Sequence, residues 1–90
     1  MGLVLNVREG HGFTVGADEF VINKVLGPAS YELTRSRDAK VFTVDDELMV
    51  EIATDVMVGG QQSTRGAVKV VIDAPREYQI SRGIKNREPV

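Results

Sequence analysis

The sequence predicts an all-β fold, a small antiparallel sheet or barrel. Two observations carry this. Apolar and polar residues alternate over short runs, and Gly, Pro or acidic turn signals cut the runs every few residues. Leu3, Leu5 and Val7 alternate with Val4, Asn6 and Arg8. Phe13 to Val15 is a short strand between Gly12 and Gly16, and Phe20 to Leu26 is an apolar strand stopped by Gly27-Pro28. Tyr31 to Arg35 alternates again and ends in the turn Ser36-Arg37-Asp38. Val41 to Val44 runs into the acidic turn Asp45-Asp46-Glu47.

The next segment fits two patterns. Leu48, Val50 and Ile52 alternate with Met49, Glu51 and Ala53, and this alternation with its Val and Ile content favours a strand. The stretch Asp45 to Met57 also fits a helix, with Leu48, Met49, Ile52, Ala53 and Val56 on one face, acidic residues at its start and Gly59 after its end. Gly59 to Gly66 reads as a mobile loop. Val68, Val70 and Ile72 then alternate with Lys69, Val71 and Asp73. Pro75, which has no N–H for a ladder, ends that strand, and a short strand from Tyr78 to Ser81 follows. The plain reading of Ala67 to Ser81 is a hairpin with a surface Arg82 behind it.

Composition narrows the function. Ninety residues make one domain, or one subunit whose core is completed by another chain. With no Cys there is no disulfide, thiol nucleophile or thiolate-held metal. The single His, His11, stands between Gly10 and Gly12 and reads as a solvated turn residue; no metal and no cofactor are expected. The carboxylates of Asp18-Glu19 and Asp45 to Glu47 fall in turns, no nucleophile set accompanies them, and no Gly-rich loop opens a helix, so an enzyme is not expected. No apolar run approaches the ~20 residues of a membrane helix. Met1 leads into an apolar strand without a basic leader, which points to a cytoplasmic protein. A net charge of −2 argues against a broad, unspecific nucleic-acid surface, so any RNA site must be local.

Two segments look alike. Gly12 to Phe20, GFTVGADEF, is similar to Val41 to Leu48, VFTVDDEL. Each follows a strand that ends in a charged turn and precedes an apolar strand, as a duplicated three-strand unit would.

The run VIDAPREYQISR resembles the fourth and fifth strands of the carbon storage regulator family (CsrA/RsmA). Asp73, Ala74, Pro75, Arg76, Glu77, Ile80 and Arg82 stand where that family has its Asn or Asp, Ala-Pro, basic residue, Glu, short strand and Arg. Tyr31 to Arg35, with Leu33-Thr34-Arg35, resembles its first strand, and Asp46-Glu47-Leu48 with Val50 and Ile52 resembles its third. On this register, 1–29 is an extension that partly repeats strands one to three, and 30–90 is the family-like domain. On the other register, residues 3 to 26 are the first three strands and Pro28 to Thr64 is an insertion; Leu3, Leu5, Arg8, Glu9, Gly10 and Gly12 carry that resemblance. The chain departs from the family in several places, among them Val7 before Arg8, where a basic neighbour is usual, and Gly83 after Arg82, where an acidic residue is usual. Ser36 follows Arg35 where a second basic residue is usual, Ser81 replaces a common His, and the tail Gly83 to Val90 shows no helix pattern.

The resemblance implies a homodimer with interleaved strands that binds GGA-bearing single-stranded loops of messenger RNA and regulates translation. Its binding face joins the first strand of one chain to the fifth of the other. The implied RNA-binding residues are Leu33, Thr34 and Arg35, with Ala74, Pro75, Ile80, Ser81 and Arg82. In the other register Leu5 and Arg8 replace the first-strand set. Backbone groups at such a bend can meet the edges of splayed bases while Arg holds a phosphate or stacks. The alternative is a module of the same fold that has lost RNA and binds proteins, among them a CsrA-type partner, through open strand edges.

Overall fold

The computed structural model describes residues 2–63 and 66–82, Arg82 by its backbone alone. The expected polar tail Gly83 to Val90 lies outside the described residues. The chain folds into nine strands with no helix among the described residues. They are β1 (Gly2–Arg8), β2 (Gly12–Val15), β3 (Asp18–Gly27), β4 (Ser30–Arg35), β5 (Lys40–Val44), β6 (Val50–Ala53), β7 (Val56–Gln61), β8 (Ala67–Asp73) and β9 (Ile80–Arg82). Every pairing is antiparallel. One sheet has the order β1-β8-β7-β6 and the other β5-β4-β3-β2-β9.

Each strand forms because its alternation gives the sheets an apolar inner face. β1 buries Leu5 and Val7 and exposes Val4, Asn6 and Arg8. β8 buries Val68, Val70 and Ile72 and exposes Lys69. From the other sheet come Phe13, Phe20, Ile22, Tyr31 and Leu33, all fully buried in the same core cluster. Burial of each such side chain stabilises the fold by about 1.5–3 kcal/mol. The turns use residues that tolerate left-handed backbone: Gly16 (φ 61°) joins β2 to β3, and Asp55 (φ 61°) joins β6 to β7.

The segment Asp45 to Met57 contains no helix. Asp45 Oδ1 accepts the N–H groups of Glu47 and Leu48 in a tight bend, and β6 and β7 follow. Three expectations are corrected. First, Gly59, Gly60 and Gln61 are not loop; they complete β7, and both glycines are buried. Their lack of side chain makes room: a Cβ on Gly60 would stand 2.1 Å from the Ala29 carbonyl oxygen. Second, β8 and β9 do not form a hairpin. The chain leaves β8 at Asp73, crosses between sheets, and lays β9 on β2. Third, the two similar segments differ in structure. Gly12 to Phe20 lies in the β2–β3 hairpin, whereas after β5 the chain passes into the other sheet.

Both sheets take strands from either side of residue 29. β1 pairs with β8 and β2 with β9, and β3 follows one strand further in from β9. β4 to β7, residues 30 to 61, extend the two sheets at one edge each. Among the described residues no helix is long and apolar enough to cross a membrane, and no group of His, Cys, Asp or Glu is arranged to hold a metal ion.

Candidate nucleic-acid interface

The carboxy-terminal motif is shaped by its Ala-Pro bend. Pro75 ends the ladder of β8, and its carbonyl accepts the Tyr78 N–H at 3.0 Å, which closes a turn. The Gly16 N–H donates to the Gln79 carbonyl at 2.9 Å and brings the chain to the β2–β3 turn. β9 then pairs with β2 in the register Val15↔Ile80, Thr14↔Ser81 and Phe13↔Arg82. Ala74 is buried, Pro75 and Ile80 are half-buried, and Ser81 is exposed.

The first-strand candidates Leu33, Thr34 and Arg35 lie on β4, and β3 and β2 separate them from β9. Three strand spacings are roughly 14 Å, so one chain does not bring this set beside Ile80, Ser81 and Arg82. Leu33 is fully buried in the core. Thr34 Oγ1 accepts from Asn23 Nδ2, which also donates to Glu32 at 3.2 Å. Arg35 is engaged on three sides. Its Nε and Nη2 donate to the two carboxylate oxygens of Asp38 at 3.0 and 2.7 Å, and its Nη1 donates to the Ile52 carbonyl at 2.8 Å.

The second set has a different setting. Leu5 is buried on β1, opposite Val70, whereas Arg8 is exposed at the end of the strand, opposite Ala67. Only Glu9, Gly10 and His11 separate Arg8 from β2. This turn is fixed: the His11 N–H donates to the Arg8 carbonyl at 3.0 Å, and the Gly10 N–H donates to the Ile22 carbonyl at 2.8 Å. The His11 side chain is exposed. Since Arg82 lies opposite Phe13, the Arg8 end of β1 and the Arg82 end of β9 fall at the same end of the molecule.

No family model matches the chain, and neither a curated protein nor a solved structure matches it. The arrangement therefore rests on its own geometry.

Sequence reasoning passed over Arg37, Lys40 and Phe42. The β4–β5 register sets Arg35 directly opposite Lys40, with the Arg35 guanidinium 5.5 Å and the Lys40 ammonium 5.7 Å from the Phe42 ring centre. A turn at Ser36 to Asp38, which the sequence does show, is the signal from which that pairing could have been read. Asp38 is held at about pH 2, against an ordinary value of 3.8. The Arg35 hydrogen bonds are the main cause, and the Lys40 backbone N–H assists. Because the folded value is the lower one, ionised Asp38 stabilises the fold at neutral pH. That contribution fades as pH falls through about 4 to about 2. Asp38→Asn is expected to melt below the wild type at neutral pH and to match it at the acid end of that window. Thermal melts across the window check this.

Proposed function

We propose that this chain is a single-stranded RNA-binding module of the carbon storage regulator type, reading GGA-bearing loops of messenger RNA and acting on translation. The observation that carries the reading is the register of β9 on β2, which brings Arg82 to the same end as Arg8. The strand order also suits the register in which residues 3 to 26 are the first three strands. β1 pairs with β8 and β2 with β9, β3 lies next to β2, and of β4 to β7 only β7 pairs with one of the last two strands, on the far side of β8 from β1. On that register Leu5 is a core residue that sets the course of β1, Arg8 supplies charge, and the backbone of Ile80 and Ser81 supplies donors and acceptors for base edges. A local site of this kind suits a chain of net charge −2, which offers no extended basic field.

The test is anisotropy binding of the purified chain to a GGA hairpin at low salt. Arg82→Ala and Arg8→Ala are each expected to weaken binding by ~1–3 kcal/mol, and a hairpin with the GGA scrambled is expected to bind worse. No binding at low salt, where phosphate attraction is greatest, removes the proposal.

One observation favours a protein partner instead. β1 ends its sheet as a regular seven-residue edge strand with neither Lys nor Pro to block pairing. A pull-down against a CsrA-type protein examines this second reading, and absence of a complex counts against it.

A further inference from the structure

At one end of the molecule the β4–β5 turn faces the β6–β7 hairpin across an open cleft of about 280 Å3. Arg35, Arg37, Lys40, Phe42, Glu51 and Thr54 line it. The three cations come from one hairpin, where pairing of Arg35 with Lys40 forces them onto a common end. The acids around them are accounted for. Asp38 is bound bidentately by Arg35 and also accepts the Lys40 N–H at 3.3 Å. Asp18 lies 3.5 Å from Arg37, whose side chain is 58% exposed. Glu51 lines the cleft and accepts the Asp55 N–H at 3.3 Å.

Arg35 is the fixed element. A guanidinium carries five N–H donors, and three of these are committed to Asp38 and Ile52. The group is thus ordered before any ligand arrives, with two donors left over, and a ligand meets it without the usual cost of immobilising a long side chain. Lys40 and Arg37 are exposed and able to close on an anion from either side. The geometry points to a phosphate-binding cleft: a phosphoryl group accepts from the two remaining Arg35 donors and is flanked by the Lys40 ammonium and the Arg37 guanidinium, with the Thr54 hydroxyl lining the far wall. The site uses neither Arg8 nor Arg82, so it stands apart from the RNA-loop reading.

The experiment is a titration of the full chain, followed by amide and Arg Nε–H NMR signals, with pyrophosphate as the probe at low salt. Shifts are expected at Arg35, Lys40, Phe42 and Thr54. Lys40→Ala and Arg37→Ala, both exposed positions, are each expected to weaken binding by about fivefold to tenfold. Glu51→Gln removes a negative wall and is expected to tighten it by about twofold to threefold. A second arm compares a short RNA with a 5′-phosphate and the same RNA with a 5′-hydroxyl. Tighter binding of the phosphorylated strand supports the cleft and assigns nucleic-acid ends as its ligand. Equal binding of the two strands with pyrophosphate still bound supports it with a free phosphate as ligand. Absence of pyrophosphate binding, or binding unchanged in both Lys40→Ala and Arg37→Ala, overturns it.

Discussion

Gly60→Ala is expected to destabilise the fold by about 3 kcal/mol or more, the upper end of overpacking costs. The added methyl would lie 2.1 Å from the Ala29 carbonyl oxygen and 3.3 Å from the Asp45 carbonyl oxygen, and both obstacles are backbone. Neither can swing aside as a side chain does. The Gly60 N–H also donates to the Asp45 carbonyl at 3.0 Å, so retreat of β7 would break the bond that ties it to the chain leaving β5. Gly59→Ala is the matched control. Its methyl meets the Met49 sulfur at 2.7 Å, but Met49 is 40% exposed and flexible, so the cost is expected to be under about 1.5 kcal/mol. Urea unfolding of the two variants decides it; similar midpoints would show that the β7 crossing is looser than described.

The second large effect is at Phe13. Phe13→Ala is expected to cost about 3–5 kcal/mol, the usual range for emptying a buried aromatic site. Phe13 and Phe20 are both fully buried, directly opposed across the β2–β3 hairpin, and stacked with ring centres 5.4 Å apart. A double-mutant cycle with Phe20→Ala is expected to show about 0.5–1.5 kcal/mol of coupling, the worth of an aromatic pair beyond its buried area. Phe13 also stands opposite Arg82. Its replacement is therefore expected to raise the hydrogen-exchange rate of the β9 amides before it raises those of β8. Equal acceleration in the two strands would mean that β9 is held by something other than its pairing with β2.

What the sequence showed, and what it hid, divides along the range of the interactions. β1, β4 and β8 were legible because alternation is a property of a few consecutive residues, and Leu5, Leu33 and Val70 bury the faces it specifies. Gly59 and Gly60 misled because glycine has two uses. A reading along the chain sees its freedom to turn, whereas here the missing side chain admits Ala29 and Met49 from distant parts of the sequence. The hairpin expected at Ala67 to Ser81 failed for a related reason. Asp73-Ala74-Pro75 announces a break, but whether the next strand returns or crosses depends on what β2 offers, some 60 residues away. At the candidate interface Arg35 shows the same split. Its partner Asp38 is three positions on and visible in the sequence, while its bond to the Ile52 carbonyl exists only once the two sheets are stacked.

The pairing of β1 with β8, Leu3 against Ile72 and Val7 against Val68, bears on how the protein is made. β1 waits for a neighbour translated roughly 60 residues after it, and the entropy of closing so long an interval delays nucleation. Until β8 leaves the ribosome, Leu5 and Val7 have no adjacent strand to shield them. A nascent chain in that state is a natural client for holding chaperones.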